Sequence, residues 1–154
     1  MEVVAAAEYY LDHELEEKGE AKDLLTFGEK YILFEVSYLN PPENLNSFVF
    51  KLQTNGYIPV LAHPERYPFW YGNREHYKEL KEKGVLFQMN INSLSGHYSL
   101  ETKKIAEWMV EQNLIDFLGS DCHHMRHVEL MKQVVYEKML HQLVDSGKLL
   151  NHTL

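Results

Sequence analysis

Residues 56–67 read Gly-Tyr-Ile-Pro-Val-Leu-Ala-His-Pro-Glu-Arg-Tyr, and this stretch decides the fold class. The apolar run at residues 57–62 has the length and composition of a strand that is buried on both faces. Pro64 prevents the backbone from continuing a strand ladder, so the predicted strand ends at His63. Gly56 suits the end of a preceding helix. The stretch therefore predicts a helix end, a buried strand and a turn, which is the repeating unit of a parallel α/β fold.

The same alternation extends along the chain in both directions. Further strands are predicted over residues 3–9, 31–36, 85–91 and 114–118. Helices are predicted over residues 11–18, 45–52, 74–83 and 100–112, with one long terminal helix over 127–146. Strands and helices at this spacing indicate βαβ units with a parallel sheet and outer helices. No linker-like stretch divides the 154 residues, so we expect a single domain over 1–154.

The overall composition excludes several classes of protein. The formal net charge is −8, which disfavours binding to a nucleic-acid backbone or to an anionic membrane surface. No apolar run approaches the length of a membrane span, so we expect no membrane insertion. Cys122 is the one cysteine, which rules out an intramolecular disulfide and favours a reducing, cytoplasmic location.

Residues able to bind metal stand at the predicted strand ends, where α/β folds place their sites. Glu8, Glu35, His63 and Asp121 each close one of these strands, whereas the strand near Asn90 contributes amides. Within an apolar strand a carboxylate is costly unless it is paired or bound to metal, which singles out Glu35 and, more weakly, Glu8.

The string Asp121-Cys122-His123 offers two ligands at alternate positions. A carboxylate oxygen with an imidazole nitrogen suits Zn²⁺, Mn²⁺ or Fe²⁺. The alternative is an Asp that caps the next helix beside a surface His. Strand alternation would turn Cys122 away from its neighbours, and no phosphate-cradling loop follows it, so a cysteine nucleophile is not favoured.

His63 and Arg66 form the second cluster. His63 could bind metal while Arg66 clamps a phosphate, although a strand-end His can also be a hydrogen-bonded core residue. Glu65 between them is expected to pair with a basic side chain. The aromatic residues that follow could form a wall for an aromatic substrate or pack the loop, and packing is slightly favoured: Tyr67, Phe69, Trp70 and Tyr71. The histidines without strand-end placement are predicted to lie on the surface: His13, His76, His97, His141 and His152.

Four strings carry a resemblance to a known family: LFEVSYLNPPENL, GYIPVLAHPERYPFW, GVLFQMNINSLSGHY and LIDFLGSDCHH. They resemble the PHP (polymerase and histidinol phosphatase) superfamily. More closely, they are similar to the manganese-dependent protein-tyrosine phosphatases encoded with bacterial capsule and exopolysaccharide genes. The resemblance runs from about residue 3 to residue 135.

The resemblance implies an α/β fold that is part of a distorted (β/α)₇ PHP barrel. It also implies a site of two to three ions, with Mn²⁺ expected and Fe or Zn as alternatives. The metal ligands would be Glu8, Glu35, His63, Asp121 and His123. Arg66 and Arg126 would bind phosphate, and Arg66 and His123 would be the catalytic residues. The offset of Arg126 from the Asp-x-His pair differs from that in the family.

The implied reaction is hydrolysis of a phosphotyrosine protein, in particular a tyrosine kinase of bacterial polysaccharide export. One alternative is a PHP phosphatase acting on a small metabolite of the histidinol phosphate type. The family's His-x-His does not precede Glu8, so we expect a domain that is N-terminally truncated relative to the family and has little activity alone. A non-catalytic remnant that serves as a binding module is therefore a further alternative. Homo-oligomerisation stays open.

Overall fold

A five-stranded parallel sheet organises the part of the chain that the computed structural model describes, residues 4–12, 15 and 24–154. The strands follow one another in sequence order: β1 (Glu8–Tyr10), β2 (Tyr31–Glu35), β3 (Ile58–Ala62), β4 (Leu86–Asn90) and β5 (Phe117–Gly119). All four neighbouring pairs are parallel. The predicted α/β class with parallel strands is thereby confirmed.

Helices follow the strands in the predicted βα order. They are α1 (Leu45–Thr54), α2 (Arg74–Glu82), α3 (Leu100–Glu111), α4 (Met125–Val134) and α5 (Lys138–Asp145). Short 3₁₀ turns occupy Pro64–Arg66, Pro68–Trp70, Ile91–Ser95 and Leu150–Thr153. The central strands have side chains buried on both faces of the sheet, as in Val60 and Leu61, which explains their nearly continuous apolar sequence.

Two predicted elements differ from the structure, and a third is largely untested. Glu8 begins β1 instead of ending a strand, because pairing with β2 starts only at the Glu8–Leu33 register. The single long terminal helix is wrong: it is divided into α4 and α5, since Glu137 adopts an extended backbone and its carboxylate accepts a bond from Lys103 Nζ at 3.0 Å. Most of the predicted helix over residues 11–18 lies outside the described residues.

The strands at the two edges of the described sheet, β1 and β5, do not pair with each other, so the described strands do not close a barrel. Instead, the turn at Leu150–Thr153 covers the edge of β5. Asn151 Nδ2 donates to the Leu118 carbonyl at 3.0 Å, and Asn151 Oδ1 accepts from the Leu118 N–H at 2.9 Å. Leu150 N also donates to Asp116 O at 2.7 Å. One side-chain amide thus satisfies backbone groups that a neighbouring strand would otherwise bond.

Within the described ranges, no helix combines the length and the apolar character that crossing a bilayer requires.

Candidate metal and phosphate site

The carboxyl ends of the strands bring the predicted site residues to one edge of the sheet. Glu35 is the last residue of β2, and His63 directly follows β3. Asp121 lies two residues beyond the end of β5. His63 and Asp121 have φ values of 35° and 45°, in the left-handed region that non-glycine residues rarely adopt. Backbone strain of this kind concentrates at functional sites, where the surrounding structure must hold it in place.

Glu8, Glu35 and His63 form a group that fits a metal ion. His63 Nε2 lies 3.2 Å from Glu8 Oε1 and 3.5 Å from Glu35 Oε2. The ligand atoms of all three residues lie within 4.8 Å of one another. An ion about 2.1 Å from each ligand atom would hold neighbouring ligand atoms about 3.0 to 3.4 Å apart. Two carboxylates and an imidazole also suit Mn²⁺, Fe²⁺ and Zn²⁺ in chemical type.

The electrostatics of His63 show how strongly these carboxylates attract a cation. Burial by itself would lower the pKa of His63, but the hydrogen bonds that its ring donates to Glu35 and Glu8 outweigh burial and raise the pKa to about 9. The group therefore stabilises a proton on a histidine that is 5% exposed. A divalent ion can take the place of that proton.

Asp121 and His123 form a separate pair beside this group. Asp121 Oδ1 lies 3.1 Å from His123 Nδ1. The two side chains do meet, but strand alternation is the wrong reason, because β5 ends at Gly119 and the left-handed backbone of Asp121 turns the chain. The His123 side chain is 73% exposed, and Cys122 is exposed as well. Among the described residues the convergent ligand group holds neither Asp121 nor His123.

Arg66 lies against Asp121 and two tyrosine rings in the same cavity. Its NH1 donates to Asp121 Oδ2 at 2.8 Å. The guanidinium carbon lies 4.1 Å from the centre of the Tyr98 ring and 5.2 Å from that of Tyr38. These contacts hold the planar guanidinium by both charge and stacking.

One cavity of about 370 Å³ brings the site together. It is lined by Glu8, Glu35, Tyr38, His63, Arg66, Tyr98, Asp121, His123 and His127. All five predicted metal ligands, both predicted catalytic residues and three unpredicted aromatic side chains therefore share a space with room for a phosphoryl group and part of its substituent. His123 belongs to both predicted sets.

Buried hydrogen bonds fix the strand ends relative to one another. The Tyr67 hydroxyl accepts from Val36 N at 3.1 Å and donates to Ala62 O at 3.1 Å, which ties the end of β2 to the end of β3. Glu65 Oε1 accepts from Asn90 N at 3.0 Å, which ties β3 to β4. Asn90 Nδ2 in turn donates to Asp121 Oδ2 at 3.1 Å and so reaches the segment after β5.

Glu65 therefore has a different role from the predicted one. It accepts from Asn90 N–H and from the Ser93 hydroxyl at 2.6 Å, and neither partner is basic. Complete burial raises the pKa of its carboxyl. The expected pairing with a basic side chain is thus wrong, and the Asn90 N–H and the Ser93 hydroxyl take the place of the basic partner.

Other predictions about side chains had mixed outcomes. Tyr67 and Trp70 are buried, which confirms packing for these two aromatic residues. His97 is only partly exposed, and its ring centre lies 5.4 Å from that of His127. His76 is partly buried against Trp70, with ring centres 4.7 Å apart, and His13 lies outside the described residues. His141 and His152 are exposed as predicted.

Three cavity residues were missed by the sequence reasoning: Tyr38, Tyr98 and His127. His127 is 7% exposed, and its Nδ1 lies 3.1 Å from the Asp121 carbonyl. The sequence offered one local signal for Tyr38, its position three residues after the predicted ligand Glu35. Arg126 is exposed and does not line the cavity, so its phosphate-binding role stays a prediction.

Similar proteins identify the family of this chain. Residues 1–147 match the family model described as "Capsular polysaccharide synthesis, CpsB/CapC". The chain is 34% identical over 127 residues to the tyrosine-protein phosphatase YwqE of Bacillus subtilis, covering 82% of this chain and 50% of YwqE. It is 32% identical over 128 residues to the putative tyrosine-protein phosphatase CapC of Staphylococcus aureus, covering 78% of this chain and 50% of CapC.

A solved structure is also similar. It comes from a study of YwqE from Bacillus subtilis and CpsB from Streptococcus pneumoniae, described there as metal-dependent tyrosine phosphatases. The match has a TM-score of 0.75 and 29% identity, and it covers 96% of this chain and 64% of the other. The chain spans about half the length of the curated relatives it matches. Because the family model matches nearly all of its length, the chain belongs to the CpsB/CapC family of capsular polysaccharide synthesis.

Proposed function

We propose that this chain carries the phosphoryl-binding part of a metal-dependent phosphomonoesterase that acts on phosphotyrosine in proteins. The observation that supports this most directly is the cavity in which Arg66 faces the group Glu8, Glu35 and His63. A bound cation and a guanidinium in one cavity would both attract the negatively charged oxygens of a phosphate.

The proposed roles follow from the positions of the side chains. Glu8, Glu35 and His63 hold one ion, and Asp121 with His123 contributes to a further one. Mn²⁺ is the proposed ion, with two to three ions in the complete site. When bound, the metal supplies a Lewis acid for the phosphoryl oxygens and lowers the pKa of an attacking water.

The chain's own residues complete the chemistry. Arg66 binds the phosphoryl oxygens and offsets the charge that grows on them in the transition state. When it is not bound to the further ion, His123, exposed beside Asp121, assists the departure of the phenolate; otherwise another group near the site does so. Arg126 is proposed as a second residue that binds phosphate, from its exposed position beside the cavity-lining His127. No covalent enzyme intermediate is required.

The phosphotyrosine specificity is supported by the names of the relatives, which are tyrosine-protein phosphatases. Tyr38 and Tyr98 in the cavity are also compatible with an aromatic ester. The proposed partner is a phosphotyrosine protein, in particular a polysaccharide-export kinase in the cytoplasm, and residues 1–154 are proposed to act as one domain. A small aliphatic phosphate would lack the ring that these tyrosines can contact.

Turnover of a phosphotyrosine peptide by the purified chain with Mn²⁺ tests the proposal. A slow, Mn²⁺-dependent release of phosphate is expected, and His63→Ala or Asp121→Ala should abolish it. His141→Ala is the matched control, because His141 is exposed and lies outside the cavity. Histidinol phosphate serves as the competing substrate. Activity that survives both site substitutions, or a faster rate on histidinol phosphate, contradicts the proposal.

A further inference from the structure

Asn90, the last residue of β4, bonds to two of the side chains that hold Arg66. Its Nδ2 donates to Asp121 Oδ2 at 3.1 Å and to the Tyr98 hydroxyl at 2.9 Å. The same Asp121 oxygen accepts from Arg66 NH1 at 2.8 Å, and the Arg66 guanidinium carbon lies 4.1 Å from the Tyr98 ring centre. One side-chain amide therefore contacts both the carboxylate that pairs with Arg66 and the ring beneath its guanidinium.

The orientation of this amide is fixed by its other contact. Asn90 Oδ1 accepts from Asn92 N at 3.0 Å, so a reversed amide would set N–H donors against each other. A reversed amide would also turn its oxygen toward the Asp121 carboxylate. The amide nitrogen carries two hydrogens, which is enough for both of its acceptors. Nδ2 therefore faces Asp121 and Tyr98, and the Tyr98 hydroxyl accepts.

The backbone of Asn90 is anchored as well. Asn90 is 2% exposed, and its N–H donates to the buried carboxylate of Glu65 at 3.0 Å. Glu65 accepts a further bond from Ser93 Oγ at 2.6 Å. The side chains of Arg66 and Asp121 are each 19% exposed, and two side chains that bond to each other do not fix their position in the fold. An amide anchored in β4 supplies the fixed point that this pair lacks.

The position of the guanidinium matters for phosphate. A guanidinium recognises phosphate through two N–H groups in one plane, so a change in its direction removes the paired contact. A phosphate that bonds to NH1 takes the place of Asp121 there. The Tyr98 ring then remains in contact with Arg66, and Asn90 still holds the Tyr98 hydroxyl. A group that is already aligned loses less freedom when its ligand binds.

We propose that Asn90 is a positioning residue that aligns Arg66 for phosphate through Asp121 and Tyr98. The inference rests on the proposed function, since it takes Arg66 as the phosphate-binding residue. Asn90 does not line the cavity of about 370 Å³, whereas the other three residues do. It therefore acts through those residues and does not itself touch the substrate.

The test measures phosphate affinity and Mn²⁺ affinity separately on the purified chain. Calorimetric titration with inorganic phosphate at saturating Mn²⁺ gives the first, and titration with Mn²⁺ alone gives the second. Asn90→Ala removes the amide, and it is made both in the wild type and in Arg66→Ala. In the described part of the chain Asn90 makes no hydrogen bond to Glu8, Glu35 or His63, so the tightest Mn²⁺ site is the internal reference.

Two further variants complete the set. Tyr98→Phe removes the hydroxyl that accepts from Asn90 and keeps the ring, and it is also made in both backgrounds. Thr102→Val is the matched control for loss of a buried polar group. Thr102 is 3% exposed, its hydroxyl bonds to the Tyr71 hydroxyl at 2.8 Å, and it does not line the cavity. Thermal unfolding confirms that each variant is folded.

Asn90→Ala should weaken phosphate binding about tenfold in the wild type, as for lost partners that orient a binding group. In Arg66→Ala the same change should cost less than about twofold, because no guanidinium remains to be aligned. Tyr98→Phe should weaken phosphate binding about two- to threefold in the wild type and leave it unchanged in Arg66→Ala. Thr102→Val should keep the wild-type phosphate affinity. The tightest Mn²⁺ site should stay within about twofold of the wild type in Asn90→Ala and Tyr98→Phe.

Each contrary result has a distinct meaning. Wild-type phosphate affinity in Asn90→Ala, with a loss in Arg66→Ala, overturns the role of Asn90 and leaves that of Arg66 standing. An equal loss from Asn90→Ala in both backgrounds also overturns it, because a residue that acts through Arg66 has no effect without it. If Asn90→Ala does not fold, wild-type phosphate affinity in Tyr98→Phe overturns the inference. Wild-type phosphate affinity in Arg66→Ala overturns the proposed function together with this inference.

Discussion

The edge of β5 offers a quantitative test of how the fold holds its site. Asn151→Ala removes the two bonds between the side-chain amide and the Leu118 backbone, at 2.9 and 3.0 Å. Each hydrogen bond contributes about 1 kcal/mol net, and water can replace part of it because Leu118 is only partly buried. We therefore expect a loss of about 1 to 2 kcal/mol in the free energy of unfolding.

For a chain of this size that loss corresponds to a melting temperature lower by about 2 to 8 °C. Thermal unfolding followed by circular dichroism measures it. Asn40→Ala is the matched control, since Asn40 is exposed and its side chain makes no hydrogen bond with the described part of the chain. It should melt with the wild type.

A second substitution separates the two bonds. Asn151→Asp keeps an oxygen that accepts from Leu118 N–H, but it replaces the donor to the Leu118 carbonyl with another acceptor. At neutral pH it should be at least as unstable as Asn151→Ala. If both Asn151 variants melt within 1 °C (about 0.3 kcal/mol) of the wild type, the amide does not stabilise the edge and the reasoning is refuted.

The remaining predictions concern stability under defined conditions. Asp116→Ala should lower the free energy of unfolding in urea by about 2 to 3 kcal/mol, because the Asp116 carboxylate accepts hydrogen bonds from Phe87 N–H and Lys81. The exposed Glu75→Ala is the control and should lower it by less than about 0.5 kcal/mol. At one hundred times its dissociation constant, Mn²⁺ should stabilise the wild type by about 2.7 kcal/mol and His63→Ala by none, as read from melting temperatures. Burial lowers the pKa of His76 in the folded chain. The neutral imidazole therefore contributes stability above its ordinary pKa, and this stability is lost as the pH falls through the pKa of the folded state. Between pH 7 and 5 the wild type should lose more stability than His76→Gln, as measured by urea unfolding.

The parts of the site that the sequence predicted are those with a local signal. His63 and Arg66 stand in one turn whose start is marked by a buried strand and a proline. Glu35 was identified because its carboxylate interrupts an apolar run. Each of these inferences needs only the neighbours in sequence, and parallel pairing then brings the strand ends together.

The parts that were missed depend on distant contacts. Tyr98 lies 4.1 Å from the guanidinium of Arg66 although the two residues are far apart in sequence. The division of the terminal helix has a similar origin: apolar periodicity continues through the break, whereas the ion pair between Glu137 and Lys103 joins segments 34 residues apart. No pattern within one helix or strand reports such contacts.

The charges at the site explain why a cation should precede the phosphate. Glu8, Glu35 and Asp121 supply three carboxylates, and Arg66 with a protonated His63 opposes them with two positive charges. A phosphate dianion would enter a site that is already net negative, and Arg66 is engaged with Asp121 at 2.8 Å. A divalent ion that displaces the proton of His63 cancels this negative excess, because it adds two positive charges where the proton supplied one. An ion bound at Asp121 would also compete with Arg66 for the carboxylate and release the guanidinium toward the substrate. The proposed metal dependence thus agrees with the charges of these residues: without the ion, the three carboxylates outnumber the two cations, and Arg66 is paired with Asp121.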